Sequence, residues 1–214
     1  MKKWIPFLVV GLVLLADQCL KIWIKLHFPF GEVAQITSWF KLYFIENEGM
    51  AFGMKLGFAD GKLLLTLLRI AMAGGIVYYL IKLYKKETHW GLLVAVSMIL
   101  AGALGNLIDS IFYGVLFSES SSQQIATLFP VDGGYAGLLH GRVVDMLFFP
   151  LFEGYMPKWI PIYGGSYVVF FQAIFNIADT SISSGVIMII VFQKKFFPKH
   201  SSRIETDNFE SELT

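Results

Sequence analysis

Residues 90–108 read WGLLVAVSMILAGALGNLI, a run without one charged side chain. A helix needs about 20 mostly apolar residues to cross a bilayer core, so this stretch reads as a membrane span. Working outward, Leu63–Ile81 is a second such run with Arg69 as its one charge. Trp4–Ile24 is apolar through its first part and then carries Asp17 and Lys21. Tyr167–Phe192 is interrupted only by Asp179. Four spans put both chain ends on the same side of the membrane.

Basic residues choose that side, because short loops rich in Lys and Arg stay in the cytoplasm. Lys2 and Lys3 precede the first run, Lys82, Lys85 and Lys86 lie between the second and third, and Lys194, Lys195, Lys199 and Arg203 follow the fourth. Those flanks hold more than half of the 17 basic residues. The expected fold is an all-α membrane protein with four transmembrane helices, N-in and C-in, and a small β-rich element at the external surface. Residues 1–200 would form one domain with external loops at about 25–62 and 109–166. Residues 201–214 would form a cytoplasmic polar tail.

Composition agrees with that class. Of 214 residues, 56% are hydrophobic and 15% charged, against about 25% charged in soluble domains. A net charge of +1 and a single cysteine exclude a nucleic-acid binder and a disulfide scaffold. The Lys-Lys start and first apolar run fit a signal peptide, yet no small-x-small cleavage site follows. Gln18 before Cys19 also fails as a lipobox, so the first helix is read as retained.

The external loops are not ordinary linkers. Trp39-Phe40-Lys41-Leu42-Tyr43-Phe44-Ile45-Glu46 is aromatic and β-branched with partial alternation, which suits a strand at the membrane surface. Leu147-Phe148-Phe149-Pro150-Leu151-Phe152 and Met156–Ile160 fit the interface that aromatic residues prefer.

Polar residues near the expected outer ends of the spans are the functional candidates, since a mid-bilayer charge costs about 2.5–3.5 kcal/mol. Asp17 and Lys21 are i, i+4 on one helix face, either a salt bridge at a polar helix end or part of a site. Asn47-Glu48-Gly49-Met50-Ala51-Phe52-Gly53 suits a tight surface turn that presents an amide. Asn106 and Asp109 share a face at i, i+3, as do Asn176 and Asp179. Asp109 reads as the exit of its helix, and Asn106 as a deeper amide that needs a partner. Asp145, inside Gly141-Arg142-Val143-Val144-Asp145-Met146, is either paired with Arg142 or placed to act.

The absence of a Gly-x-Ser-x-Gly elbow and of His-Glu-x-x-His disfavours serine and zinc hydrolysis. Carboxylate chemistry remains. Two aspartates at one low-dielectric site split their titrations, so one can take a proton from water while the other gives one to a carbonyl oxygen. Asp145 and Asp179 are the expected pair.

Together these motifs resemble those of the lipoprotein signal peptidase (signal peptidase II) family. The resemblance rests on Asp17-Gln18 with Lys21, Asn47-x-Gly49-x-Ala-Phe-Gly53, Gly105-Asn106-Leu-Ile-Asp109, Val143-Val144-Asp145 and Phe175-Asn176-Ile-Ala-Asp179. It implies a membrane aspartyl endopeptidase that removes the signal peptide from prolipoproteins, cutting before a diacylglyceryl-modified cysteine. Asp145 and Asp179 would be catalytic. Asp17, Lys21, Asn47, Gly49, Asn106 and Asn176 would support the site and hold substrate. The implied location is the bacterial cytoplasmic membrane, with the site at its outer, periplasmic face. The implied partners are lipidated prolipoproteins and membrane lipid, with no nucleic acid. The chain would act as a monomer, without metal or organic cofactor. The family commonly has Arg after the aspartate of the third block, where this chain has Ser110, and Arg142 is expected to supply that cation. The stretches between Asp109, Asp145 and Asp179 are longer than is usual in the family.

Two rivals come from other classes. Intramembrane carboxylates also serve proton-coupled transporters and channels, but here they cluster at one face and no repeated halves are visible. A non-catalytic scaffold explains the aromatic loops and leaves Asp145 and Asp179 without a role.

Overall fold

A computed structural model describes residues 4–48, 61–86, 88–162 and 164–198. Among them, three helices are long and apolar enough to cross a membrane. They are α1 (Ile5–His27), α2 (Gly61–Lys85) and α3 (Trp90–Ile108). Helix α3 does not end at Asp109. It continues through a π-helical turn (Asp109–Tyr113) and the short α4 (Gly114–Leu116). The second long loop therefore begins after Leu116, later than the sequence suggests. The expected tail beyond residue 200 lies outside the described residues.

The fourth expected span is not one helix. Tyr167–Phe170 is strand β5 and Ile174–Phe175 is β6, while helix α5 runs only from Ile177 to Val191, followed by the short α6 (Gln193–Phe196). The cause is local. Asn176 Oδ1 accepts from the Asp179 backbone N–H at 2.9 Å, and the Asp179 carboxylate accepts from the Asn176 N–H at 3.4 Å. This reciprocal cap fixes the helix start. Upstream of it, aromatic and β-branched residues pair as strands.

Helix α3 is the centre of the bundle. Two thirds of its most apolar window (67%) is buried against protein, compared with 17% for α1 and 11% for α2. Small residues let α5 approach it closely, as membrane helices require. A Cβ on Gly102 would come within 2.2 Å of the Ala178 carbonyl oxygen. Ser181 Oγ of α5 adds an interhelical hydrogen bond to the Met98 carbonyl at 2.8 Å.

Above the bundle, both long loops contribute to one antiparallel sheet in the order β1 (Val33–Gln35), β2 (Lys41–Asn47), β3 (Val143–Phe148), β6. The aromatic run of the first loop thus becomes β2, and its partner comes from the second loop. Ile24 of α1, Phe44 of β2, Tyr113 and Phe117 near the end of the α3 extension, and Val144 and Met146 of β3 form the core that seats the sheet on the helices. The register of β2 on β3 shifts between Leu42 and Ile45; beyond the shift Ile45 faces Asp145 and Asn47 faces Val143. A separate hairpin pairs β4 (Phe152–Tyr155) with β5. Its connecting segment exposes Trp159 and Ile162.

Candidate active site

Helix α1 supplies the first layer. Asp17 and Lys21, one turn apart, are both buried and ion-paired at 2.9 Å. Lys21 Nζ also pairs with Asp109 Oδ2 at 2.8 Å and donates to Asn106 Oδ1 at 2.9 Å. Asp17 Oδ1 accepts from the Ala178 N–H at 2.8 Å, in the first turn of α5, where a carboxylate complements the helix dipole. Gly105 makes room for this group, because a Cβ there would meet Asp17 Oδ2 at 2.7 Å.

Fixing Asn106 through its oxygen decides where its nitrogen points. Asn106 Nδ2 donates to Asp179 Oδ1 at 2.7 Å. Asn176 is oriented in the same way: its Oδ1 caps α5, so its Nδ2 reaches Asp145 Oδ1 at 2.7 Å. The same nitrogen is 3.1 Å from Asn106 Oδ1, which ties the two amides together. Asn47 Nδ2 approaches the other Asp145 oxygen at 3.3 Å. Asp145 and Asp179 come from a strand and a helix, yet one amide relay serves both. Burial pushes the Asp145 carboxyl up to about 7, and the Asp179 charge adds to the rise.

Four residues have a larger part than the sequence suggests. Asp109 is fully buried, because the π-helical turn keeps the chain inside the bundle where an exit was expected. Gln18 donates to Asp109 Oδ1 at 2.9 Å and to Asp17 Oδ2 at 3.1 Å, and Tyr113 Oη donates to Gln18 Oε1 at 3.1 Å. Arg69 of α2 reaches Ser110 Oγ at 2.7 Å and interacts electrostatically with Asp179, Asp109 and Asp145. Its being the one charge in its span was the available signal.

Arg142 corrects an expectation. It does not bring its cation to the aspartates: Nη1 binds Glu119 at 2.6 Å and Glu46 at 3.3 Å. Side chains alternate along a strand, so residues three apart face opposite sides. Arg69 holds the place beside Ser110 instead. Gly49 lies outside the described residues. Among the described residues, no three or more His, Cys, Asp or Glu are grouped to hold a metal ion.

Apolar helices carrying an amide-bridged pair of carboxylates at one end, Asp145 buried and Asp179 half-buried, define a membrane enzyme of the acid–base type. Comparison with known proteins agrees. The family model described as signal peptidase (SPase) II matches residues 9–195. The lipoprotein signal peptidase of Porphyromonas gingivalis is 49% identical over 184 residues, covering 86% of this chain and 80% of that protein. The lipoprotein signal peptidase of Amoebophilus asiaticus is 36% identical, covering 99% and 87%. A solved bacterial membrane enzyme superposes with a TM-score of 0.57 at 25% identity, covering 89% of this chain and 92% of its own. The chain belongs to the signal peptidase II family of aspartic endopeptidases.

Proposed function

We propose that the chain removes signal peptides from diacylglyceryl-modified prolipoproteins, cutting on the N-terminal side of the lipidated cysteine, with Asp145 and Asp179 as its catalytic pair. One observation carries the assignment of the pair: two carboxylates from distant segments each receive an amide N–H at 2.7 Å from one connected relay. Beside the pair, the buried Asp17 and Asp109 are set against the buried Lys21 and the half-buried Arg69, and two carboxylates this close share one negative charge and one proton. The rise of Asp145 towards about 7 supports giving it that proton.

Chemistry follows from this state. Asp179 takes a proton from water as the water oxygen attacks the scissile carbonyl carbon, and Asp145 gives its proton to the carbonyl oxygen. In the resulting diol the C–N bond breaks. The leaving nitrogen takes the proton from Asp179, one diol hydroxyl returns a proton to Asp145, and the pair is restored. Asn106 and Asn176 keep both carboxylates in place throughout, and the rigid helix–sheet junction limits water.

The reading extends to orientation. Lys82 and Lys85 in the last turn of α2 and Lys194 and Lys195 after α5 lie at the helix ends away from Asp145. The positive-inside rule then favours N-in and C-in, with α5 as the fourth crossing and the site at the periplasmic face of the cytoplasmic membrane. The substrate's acyl chains would remain in lipid beside the exposed helix faces, and one copy of the chain suffices.

The test is cleavage of a diacylglyceryl-modified prolipoprotein by the purified protein beside Asp145→Asn and Asp179→Asn. Cleavage by the wild type, lost in both folded variants, is expected. Retained cleavage in either variant would remove that residue from the pair.

A further inference from the structure

The opposite face of β2 and β3 carries a second buried charge cluster that the reaction above does not use. Lys25, fully buried near the end of α1, is ion-paired with Glu46 of β2 and donates to Ser120 Oγ at 2.9 Å. Ser120 Oγ donates in turn to Glu46 at 2.8 Å. Arg142 Nη1 lies 3.3 Å from the second Glu46 oxygen and continues to Glu119. Two rings enclose the ammonium, Phe117 at 5.4 Å and Tyr135 at 5.0 Å, while Arg142 stacks on Tyr135 at 4.9 Å. One carboxylate thus gathers α1, both long loops and the approach to β3.

Its position along the strand gives this cluster a consequence. The register shift of β2 on β3 comes immediately before the Ile45–Asp145 pairing. Irregularities of this kind loosen the ladder, and a slip of one residue exchanges the two faces of everything beyond it. Beyond the shift, β2 has only Ile45, Glu46 and Asn47 left, and Asn47 is the residue that donates to Asp145. Glu46 and Asn47 point to opposite faces. Holding Glu46 on Lys25 therefore decides that Asn47 faces the carboxylates.

We propose that Glu46 is a positioning residue for the peptidase reaction: clamped by Lys25, Ser120 and Arg142, it pins the register of β2 and keeps Asn47 on Asp145. The proposal rests on Asp145 and Asp179 being the catalytic pair. Asp145 is faced by Asp179 and Asn176 from α5 and its cap, Lys21 from α1 and Asn47 from β2, with Arg69 of α2 and Asp109 close by. Glu46 faces away. The Asn47 donor favours the charged form of Asp145, so its loss raises the pKa of Asp145 and moves the alkaline limb of activity to higher pH. Removing the negative charge of Glu46 through space alone would move that limb the other way.

The experiment measures kcat, KM and the pH profile of the full chain on a diacylglyceryl-modified prolipoprotein. The variants are Glu46→Gln, Asn47→Ala, their combination, and the paired Lys25→Met/Glu46→Leu, which removes both charges and leaves no lone buried ion. Glu46→Gln and the paired variant are expected to lower kcat roughly tenfold with KM nearly unchanged. Their alkaline limb should move upward as in Asn47→Ala, and Glu46→Gln should add nothing to Asn47→Ala. Multiplying losses in the combination, or a limb that moves downward, would overturn the pin. If Asn47→Ala and Asp145→Asn both cleave normally, the catalytic pair itself is wrong. If those two are impaired and Glu46→Gln is normal, only the pin fails.

Discussion

Lys21 and Lys25 sit one turn apart on the same side of α1, and neither is exposed. Their surroundings differ in kind. Lys21 is enclosed by helices: Asp17, Asp109 and Asn106 belong to α1 or to α3 and its extension, and all three are satisfied by further buried donors. Lys25 meets a strand and a loop, and its cluster ends at the surface, where the Arg142 and Glu119 side chains are 34% and 55% exposed. The comparison shows that burial of a charge does not by itself mark chemistry. What distinguishes the Lys21 side is that its hydrogen bonds lead onward, through Asn106, to the half-buried Asp179 carboxylate. Among the described residues no buried side-chain nitrogen or oxygen lacks a partner, as buried charge networks require.

Breaking the Lys21 side should have the largest effect. Lys21→Met leaves Asp17 and Asp109 buried against one another, a loss of about 3–5 kcal/mol. Thermal unfolding in detergent should fall sharply and cleavage should vanish; a wild-type unfolding midpoint would erase the contrast. The pH response sharpens it next. The raised pKa of Asp145 means that its protonated form supports the fold. That contribution is complete below its ordinary 3.8 and is lost as pH rises through about 7. The unfolding midpoint of the wild type should therefore drop across that window, and Asp145→Asn should flatten the drop. On the other side, although burial opposes it, Glu119 and Glu46 hold the Arg142 guanidinium above its usual range, so Lys25→Met should keep the wild-type slope.

Lys25→Met itself should cost less than Lys21→Met, about 1.5–3 kcal/mol, because Glu46 keeps Ser120 and Arg142. Differential scanning of the two variants side by side would give equal losses if the clusters were equivalent. Arg142→Ala should have the smallest effect, under about 1 kcal/mol, since Arg142 and Glu119 are partly hydrated and Glu46 keeps Lys25 and Ser120. Its cleavage rate should stay within about fivefold of wild type. A loss as large as that of Lys21→Met would return Arg142 to the site.

Much of this was legible in the chain. Hydropathy alone marks α1, α2 and α3, and helical spacing puts Asp17 with Lys21 on one face. The fourth span was misread because hydropathy cannot distinguish a helix from strands across Tyr167–Phe175, whereas the reciprocal cap at Asn176 does. Asp109 was misread because a π-helical turn leaves no compositional trace, so a polar residue after Ile108 resembles a helix end. Arg142 was misjudged by proximity in sequence, which in a strand places residues three apart on opposite faces. Gln18 and Tyr113 act through long-range contacts that no local spacing reports.

The brevity of α5 has a mechanical consequence. Fifteen residues rise about 22 Å, while the 25 of α2 rise about 37 Å. A bilayer core of about 30 Å cannot match both. If α5 makes the crossing proposed above, lipid beside it would thin, and beside α2 it would thicken or the helix would tilt. That mismatch would make a dimple on the flank that carries Asp179. A peptide bond adjoining a lipid anchor would meet the carboxylates there without the anchor being drawn out of the bilayer.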